Sequence, residues 1–547
     1  MSVRFALGTA QHAFEARLRA LEASAFAARL ARRDATLWSA DPAHQRVAAS
    51  RLGWLASPAA MAPEIEGLAA FAAGIAREGF THAVLLGMGG SSLAPEVLRL
   101  VLGVRPGLLD LAVLDDTSPA AVRAVTEAHD LRRTLFIVSS KSGGTLEVTS
   151  FEKHFFAAVE AVRGAEAGRS FIAITDPATS LARLAASRGY RRVFLNPPDI
   201  GGRYSALSYF GLVPAALIGA DLRSILGGAG AEASTLEQAT AAGGTGLALG
   251  AALGELALAG RDKVTLVLDP RIAALGSWIE QLIAESTGKN GRGLIPIAGE
   301  PLGSPGVYDG DRVFVEVAVG ATHAATGASL RGLEDAGHPV LRWTRAAVAE
   351  LGAEFLRWEI ATATAGAVLG VDPFDEPNVA EAKEATKATL DRSLAADGPP
   401  NRAPGGPADL AALLDRARPG DYLATLAYLH RSPGIHGRLE RLRLAVRDRT
   451  RLATTLGYGP RYLHSTGQLH KGGPGTGLFL VLTADEGEDV PIPGERYGFA
   501  ALRHAQATGD LEVLERHGRR ALHLHLGARV EPGLDALVAT AESMART

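Results

Sequence analysis

The chain has no cysteine at any of its 547 positions. Disulfides, thiolate nucleophiles and cysteine-ligated zinc are therefore excluded. Uninterrupted apolar runs of the roughly 18 residues that a membrane span needs are also missing. Near the N-terminus Arg4, Glu15 and Arg17 interrupt the apolar residues, which is not the pattern of a secretory signal. These absences predict a cytoplasmic protein without a membrane partner.

The sequence also lacks an excess of charge of one sign. Its formal net charge is −3, with 56 Lys and Arg against 59 Asp and Glu, and the two signs are interspersed. Nucleic-acid binding needs a basic patch or stripe. The basic cluster from Arg438 to Arg451 instead alternates with apolar residues at helical spacing, which is typical of a solvated helix face. We therefore expect no nucleic-acid partner.

What the sequence does contain is an alternation of short apolar strands with helical segments. The first five predicted strands are His82–Leu86, Leu111–Leu114, Leu135–Val138, Phe171–Ile174 and Arg192–Leu195. Predicted helices between them start near Pro95, Pro119, Thr145 and Ser180. This alternation predicts a parallel, doubly wound sheet. In the strand order 2-1-3-4-5, the first and third strands lie side by side at the switch point, where ligands bind.

The chain is long enough for three or four such units at roughly 150 residues each. We predict an α/β fold with two doubly wound parallel-sheet domains and a C-terminal α/β extension. The predicted boundaries are a helical segment at 1–80, α/β domains at 81–200 and 201–395, and the extension at 408–547. The segment Ala395–Pro407, rich in proline and glycine, is the predicted linker. Later strands are predicted at Val264–Leu268, Val313–Val317, Val340–Trp343, Tyr422–Leu426, Leu478–Leu482 and Ala521–Leu526.

Two glycine-rich loops with hydroxyl side chains follow the first and third predicted strands. They are Gly87–Ser92 (GMGGSS) and Ser139–Thr145 (SSKSGGT). Glycines let backbone N–H groups converge on an anion, the start of the next helix adds a positive dipole end, and hydroxyls donate further hydrogen bonds. Two such loops at one crevice predict that a phosphorylated small molecule is held from two sides.

Two segments carry side chains suited to anion stabilisation and to general-base catalysis. Gly201–Ser205 (GGRYS) is predicted to open a helix and places Arg203 where it can stabilise an anion. Trp278–Lys289 is predicted to be an amphipathic helix on which Gln281 and Glu285 share a face. Apolar neighbours and the helix C-terminus would raise the pKa of Glu285 toward general-base strength. Each segment alone also fits an ordinary helix end.

A further segment, Pro373–Lys383 (PFDEPNVAEAK), is predicted to be a turn leading into a helix, with Lys383 about two turns in. Together the motifs resemble those of glucose-6-phosphate isomerases, where they occur in the same order: GMGGSSLAP, SKSGGT, GGRYS, ESTGK and PFDEPNVAEAK. The resemblance spans about residues 80 to 390. The chain is especially similar to the isomerase half of bifunctional transaldolase/glucose-6-phosphate isomerase proteins. The long C-terminal extension of those proteins would cover the remainder of this chain.

The resemblance implies two sugar-isomerase-type domains and the interconversion of glucose 6-phosphate and fructose 6-phosphate through a cis-enediolate. Glu285 would shuttle the proton between C1 and C2, Arg203 would stabilise the enediolate, and Lys383 would contact the sugar. The substrate-binding residues that it implies are Gly90, Ser91, Ser140, Lys141, Ser142, Thr145, Gly202, Gln281 and Glu376. It implies no cofactor and no metal, because the arginine replaces a Lewis acid. The implied partners are a hexose phosphate and a second subunit, since the family usually forms dimers with shared sites.

This sequence departs from the family pattern at three places. The phosphate loop usually reads SKTFTT, and Glu376 stands where glutamine is usual. The histidine that opens the sugar ring is not at its usual place, where only His338 lies nearby. The run from Thr466 to His470 (TGQLH) is similar to the family's Asn-Gly-Gln-His segment. We therefore predict His470 as the ring-opening residue, with His464 as the second choice.

Three other functions stay open at this stage. A dinucleotide-dependent dehydrogenase would use Gly87 and Gly89 with the acids Asp115 and Asp116, but Ser92 occupies the third glycine position. A non-catalytic sugar-phosphate-binding regulator would need the phosphate loops but not Glu285, Arg203 and Lys383 together. An isomerase of dual phosphoglucose and phosphomannose specificity is the third, since the two substrates differ only at C2.

Overall fold

The computed structural model describes residues 3–237, 244–395 and 405–545. The predicted linker at Ala395–Pro407 lies largely outside these described residues. The chain begins with a strand, β1 (Val3–Ala6), which the sequence pattern did not predict and which pairs antiparallel with a strand of a later sheet. It continues with the helices α1 (Gln11–Ala23), α2 (Phe26–Ala31), α3 (Pro42–Ala49), α4 (Ser57–Met61) and α5 (Ile65–Arg77).

One N-terminal stretch, Gly53–Arg77, is long and apolar enough to cross a membrane by length and hydropathy alone. It consists of successive short helical pieces, with Pro58 and Pro63 at the starts of two of them. The last piece, α5, buries Leu68 and Ile75 in the core that it shares with the following sheets. The core helices of many proteins are equally long and apolar, so a single stretch of this kind is weak support for a membrane span.

The first sheet contains the five strands that the sequence predicted. They are β2 (His82–Gly87), β3 (Asp110–Leu114), β4 (Thr134–Ser139), β5 (Phe171–Thr175) and β6 (Arg192–Leu195). All pair in parallel in the order β3-β2-β4-β5-β6, which is the predicted 2-1-3-4-5 arrangement. The helices α6 (Leu93–Leu102), α7 (Pro119–Ala128), α8 (Leu146–Arg163) and α9 (Ser180–Ser187) connect the strands. Because Gly87 pairs with Ser139, both glycine loops leave the same edge of the sheet.

The second sheet has the order β1-β10-β9-β7-β8, and all of its pairs except β1–β10 are parallel. Its other strands are β7 (Lys263–Leu268), β8 (Ile295–Ile297), β9 (Arg312–Val319) and β10 (Val340–Arg345). The accompanying helices are α10 (Tyr209–Leu217), α11 (Leu222–Glu237), α12 (Gly244–Leu258), α13 (Leu275–Thr287), α14 (Ala324–Asp335), α15 (Leu351–Leu369) and α16 (Val379–Ala395). Strand β8 was not predicted, because three residues with a central proline give no strand pattern.

Two local predictions in this region need correction. The segment Gly201–Ser205 does not open an α-helix but forms a single 3-10 turn, Gly202–Tyr204. The Ser205 hydroxyl donates to the Gly202 carbonyl oxygen (2.6 Å) and so competes with helix continuation. Lys383 lies one turn into α16, not two, because the helix starts only at Val379. Helix α13 ends at Thr287 just before Gly288, as predicted.

The C-terminal unit is a third parallel sheet, with the order β12-β11-β13-β14. Its elements are α17 (Pro407–Leu414), β11 (Tyr422–Tyr428), α18 (Pro433–Thr450), β12 (Ala453–Tyr458), α19 (Gly467–Gly472), β13 (Gly477–Thr483), α20 (Phe499–Arg516), β14 (Arg520–His525) and α21 (Val530–Ser543). Strand β12 was missed because its threonines and glycine interrupt the apolar run. Phe499 and Leu502 pack into the core of the first sheet. Helix α13 and strand β8 share a core with the third sheet through Ala284 and Ile295.

Candidate active site

The first glycine loop closes tightly against both other units. Gly89 has a positive φ of 53°, and a β-carbon there would lie 2.6 Å from the carbonyl oxygen of His464. A β-carbon on Gly90 would lie 2.1 Å from the carbonyl oxygen of Gly202. Only glycine permits such approaches of backbone to backbone. The loop therefore brings the Gly202–Arg203 turn and the His464 segment to the edge of the first sheet.

The second glycine loop is shaped by its own hydroxyl groups. The hydroxyls of Ser140 and Thr145 are hydrogen-bonded at 3.0 Å, and the Gly143 N–H donates to Ser140 Oγ (3.1 Å). The Ser139 hydroxyl donates to the Ser91 carbonyl oxygen (3.0 Å), which joins the two loops. Helix α8 begins directly after Thr145 and points its N-terminal dipole end into the loop. This is the geometry of a phosphate-binding turn.

The side chain of Lys141 is directed away from this turn. Its ammonium group is ion-paired with Asp176 and donates to the Pro198 carbonyl oxygen (3.2 Å). The backbone around Lys141 remains within the loop, while Ser142 is exposed and Ser91 is buried. The hydroxyls of the loop are therefore better placed to bind an anion than the lysine side chain.

The predicted base and the predicted anion stabiliser are direct neighbours. Arg203 Nη1 lies 3.2 Å from Glu285 Oε1 and 3.1 Å from Glu376 Oε2. The guanidinium is nearly fully buried, and its Nε donates to Ser286 Oγ (2.7 Å). Its Nη2 donates to the carbonyl oxygens of Pro373 (2.7 Å) and Asp375 (3.0 Å). These bonds fix the guanidinium plane beside the carboxylate of Glu285.

A buried lysine supports the same turn. Lys289 Nζ donates to Asp375 Oδ1 (2.6 Å) and to the carbonyl oxygen of Asp372 (2.5 Å). Burial and the nearby positive charge of Arg203 lower the pKa of Lys289 to about 8. Two cations thus hold the turn that carries Glu376 to the mouth of the site, where its side chain is 41% exposed.

The surroundings of Glu285 suit a general base. Its side chain is only 14% exposed, and burial raises its pKa above the ordinary value. Arg203 opposes this shift, whereas the negative charge of Glu376 adds to it. Gln281 Nε2 donates to Glu285 Oε2 (3.0 Å) and fixes the rotation of the carboxylate. A carboxylate of raised basicity therefore stands beside a fixed guanidinium.

The structure places the two candidate ring-opening histidines in different surroundings. His470 is buried, its ring packs 5.1 Å from that of Phe479, and burial lowers its pKa well below the ordinary value. His464 is the histidine that reaches the site: its carbonyl oxygen accepts from Gln281 Nε2 (2.8 Å) and its ring Nε2 lies 2.9 Å from Glu147 Oε1. His338 packs instead against Tyr308 in the second unit.

Glu147 was not among the predicted site residues, although it stands two residues after Thr145 in the first turn of α8. Burial opposes its ionisation, but the His464 ring beside it outweighs that cost and holds the pKa of Glu147 below its ordinary value. Lys383 also contributes to this lowering. The position of Glu147 at the N-terminus of the loop helix was the signal that could have identified it.

The segment that carries His464 is attached to the site by Gln468. The side-chain Nε2 of Gln468 donates to the Gly288 carbonyl oxygen (3.0 Å) and to Asn378 Oδ1 (2.8 Å). Its amide oxygen accepts from the Asn378 N–H (2.9 Å). The end of α13, the turn before α16 and the C-terminal unit are thereby held together.

A cavity of about 410 Å³ opens beside the phosphate loop. It is lined by Gly144 and Thr145 from the loop, Glu147 from α8, Lys383 from α16 and His464 from the C-terminal unit. Lys383 is exposed within it. The cavity thus places Lys383, which is expected to contact the sugar, next to Thr145, which is expected to bind the phosphate, whereas Glu285 and Arg203 are not among its lining residues.

The dehydrogenase interpretation finds little support at the first loop. The carboxylate of Asp115 is ion-paired with Arg461 (3.1 Å) and accepts from Ser92 Oγ (3.3 Å), so it is not free for a ribose. Across residues 3–237, 244–395 and 405–545, no group of three or more metal-ligating side chains is placed to hold a metal ion. His523 and His525 both bond to Thr483 Oγ1 on the third sheet.

Comparisons with known proteins match this chain to one family. The family model described as phosphoglucose isomerase matches residues 66–295. Glucose-6-phosphate isomerase from Rubrobacter xylanophilus is 30% identical over 364 residues, which covers 58% of this chain and 84% of that protein. The enzyme of the same name from Thermus thermophilus is 36% identical over 212 residues, which covers 38% of this chain and 49% of its own length.

Solved structures agree on the fold. A hypothetical protein from Thermus thermophilus superposes with a TM-score of 0.59 and 25% identity, covering 71% of this chain and all of that one. Glucose-6-phosphate isomerase from Chlamydia trachomatis has a TM-score of 0.50 and 21% identity, covering 61% of this chain and 75% of that one. The predicted α/β fold with sugar-isomerase-type domains is confirmed, while the domain boundaries and the link to a transaldolase stay predictions.

Proposed function

Since this chain belongs to the phosphoglucose isomerase family, we propose that it interconverts glucose 6-phosphate and fructose 6-phosphate through a cis-enediolate, with Glu285 as the base. The observation that carries the proposal is the Arg203–Glu285 pair at 3.2 Å. Gln281 links this pair to His464, which also lies against the helix of the phosphate loop. A chain of contacts therefore connects the base and the anion stabiliser with the helix of the phosphate loop.

Ring opening is the first step that the geometry supports. With Glu147 ionised, His464 donates its Nε2–H to Glu147, which leaves Nδ1 as the acceptor for the proton of the sugar's C1 hydroxyl. As that O–H bond breaks, the C1–O5 bond breaks and O5 takes a proton from the Lys383 ammonium group. The open-chain aldehyde then lies in the cavity that these residues share.

Proton transfer follows between C2 and C1. Glu285 removes the proton from C2, and the electron pair moves into a C1–C2 double bond while the carbonyl oxygen gains negative charge. Arg203 stabilises that charge in a buried site where a fixed cation is most effective. A proton then moves from the C2 hydroxyl to O1, and the protonated Glu285 returns its proton to C1 as the C2–O bond becomes the carbonyl of the ketose.

The direct test is a coupled assay with purified protein and chelator present, in which fructose 6-phosphate is supplied and glucose 6-phosphate is detected. Sustained turnover is the expected result. Binding of fructose 6-phosphate without turnover would support the regulator in place of the enzyme. The same assay with mannose 6-phosphate decides between single and dual specificity, and titration with NAD or NADP tests the dehydrogenase.

Replacing both loop hydroxyls, Ser140→Ala with Thr145→Ala, is expected to raise KM by about 10–100-fold. The double variant removes two hydrogen bonds to a charged phosphate, and such bonds contribute about 1.5–3 kcal/mol each before the loss is softened by water. The value of kcat should change by less than about threefold, because these groups bind substrate and transition state alike. Steady-state kinetics measures both.

The matched control is Ser150→Ala. Its hydroxyl is buried in α8 and donates only to the Leu146 carbonyl oxygen (2.8 Å), one turn beyond the loop. An unaltered KM in the double variant, with the control also unaltered, would exclude the loop as the phosphate site.

His464→Asn is expected to lower kcat by about 100-fold, within the range for loss of a general acid–base group. The equivalent His470→Asn should affect stability more than chemistry, because that ring is packed between Tyr462 and Phe479. Measuring kcat and thermal unfolding for both variants separates the two histidines. Full activity in His464→Asn would show that another group opens the ring.

A further inference from the structure

The carboxylate of Glu147 has a second hydrogen-bond donor besides His464. Gln506 Nε2 donates to Glu147 Oε1 (2.7 Å), the same oxygen that faces the His464 ring at 2.9 Å. Gln506 lies on α20 of the C-terminal unit and is 1% exposed. A buried amide at this distance both stabilises the ionised carboxylate and restricts its rotation.

The amide of Gln506 is also hydrogen-bonded at its other end. The Thr117 hydroxyl, which is fully buried after β3, donates to Gln506 Oε1 (2.8 Å). Rotating the amide by half a turn would place its oxygen against the Glu147 carboxylate and its nitrogen against the hydroxyl, which loses one bond and adds repulsion between two acceptors. The carboxylate of Glu147, which can only accept, therefore selects the rotamer in which the N–H faces it, and the Thr117 hydroxyl donates to the amide oxygen on the other side.

The titratable groups that face Glu147 come from three elements. They are His464 from the turn before α19, Lys383 from α16 and Tyr428 from β11. Lys383 and His464 line the sugar cavity with Glu147, whereas Tyr428 is buried. Gln506, in contrast, is a donor that does not titrate. It can therefore stabilise the anion without competing for the proton that ring opening moves.

We propose that Gln506, held by Thr117, is a positioning residue for ring opening. It keeps Glu147 ionised and oriented so that His464 donates through Nε2 and presents Nδ1 to the sugar. Gln506 lines the same cavity as Glu147 and His464, and the role proposed for it runs through its hydrogen bond to Glu147. The inference deepens the proposed function and rests on it, since it concerns the same ring-opening step.

The experiment isolates ring opening from proton transfer. In a Glu285→Gln background, the enzyme can open and close the ring of glucose 6-phosphate but cannot isomerise it. The rate of exchange between the α and β anomers, measured by two-dimensional exchange NMR and corrected for the spontaneous rate, then reports ring opening alone. Adding Gln506→Met, which preserves side-chain volume but removes the donor, is expected to lower enzyme-catalysed exchange by about tenfold, the loss of one hydrogen bond to a charged group.

Two threonine variants calibrate the result. Thr117→Val removes the buried donor to the amide oxygen and should lower exchange by about threefold, because the amide is then held only from the Glu147 side. Thr134→Val is the matched control: Thr134 is equally buried in the first sheet, and its hydroxyl donates to the Asp130 carbonyl oxygen (2.8 Å), away from the site. It should leave exchange unchanged.

The pH profile distinguishes positioning from a packing role. Exchange needs Glu147 ionised, and removing a donor to the carboxylate raises its pKa, so the acid limb of the profile should move to higher pH in Gln506→Met. A folded variant with unchanged exchange and an unmoved limb would overturn the role of Gln506. Absence of catalysed exchange in Glu285→Gln itself would overturn the ring-opening role of His464, and the role of Gln506 with it.

Discussion

Glu285→Gln is expected to lower kcat for isomerisation by about 10³–10⁴-fold, the upper part of the range for loss of a general base. The amide has nearly the same shape and can still accept a hydrogen bond from Arg203, but it cannot take a proton from carbon. Fructose 6-phosphate should bind within about threefold of the wild-type affinity, because the phosphate loop and Arg203 are unchanged. Coupled kinetics and equilibrium binding measure the two quantities separately.

The chain offers a matched control on the same helix. Glu280 is five residues away on α13 and lines a different cavity, of about 440 Å³, between the first and third sheets. Burial raises its pKa to about 7, so it resembles Glu285 in environment but not in position. Glu280→Gln should retain turnover. Equal activity of Glu285→Gln and the wild type would refute the assignment of the base.

Arg203→Lys is expected to lower kcat by about 10²–10³-fold, the loss typical of a removed oxyanion stabiliser. The guanidinium reaches Glu285, Ser286 and the Pro373 carbonyl oxygen at once, through separate nitrogens. An ammonium group keeps the charge but cannot span these partners in one plane. Charge alone would therefore not restore the stabilisation of the enediolate.

Loss of structure has to be separated from loss of chemistry in this variant. Arg188→Lys is a suitable reference, because Arg188 donates to the buried Glu152 (2.6 Å) within the first domain and has no contact with the site. Comparable thermal unfolding of the two variants, with activity lost only in Arg203→Lys, is the expected outcome. Wild-type kcat in Arg203→Lys would mean that another group stabilises the enediolate.

Much of the first sheet could be predicted from the sequence because its signals are local. Each strand is a short apolar run, each following helix begins near proline or a hydroxyl residue, and the order 2-1-3-4-5 follows from how such units wind. Strands β1 and β12 could not be found in this way. Their sequences, VRFA and ATTLGY, become strands only through pairing with β10 and β11.

Part of the candidate site could likewise be predicted from local sequence, and part of it could not. Gln281 and Glu285 share a face of α13 because they are four residues apart, so their contact at 3.0 Å was predictable. The choice between His464 and His470 was not, since both lie in one short segment and only the packing of the third sheet decides which ring faces the crevice. The prediction favoured the motif-like spacing of His470, whereas the fold buries that ring against Phe479.

The attachment of the His464 segment through Gln468 has a consequence for quaternary structure. Every group assigned to the reaction, from the phosphate loop to the ring-opening histidine, is encoded in one polypeptide and assembled within a single fold. The proposed steps therefore use groups of one subunit, and the second subunit that the resemblance implies stays a prediction. A chain cut at the boundary before α17 would keep its base and phosphate site yet lose the histidine that admits cyclic sugars.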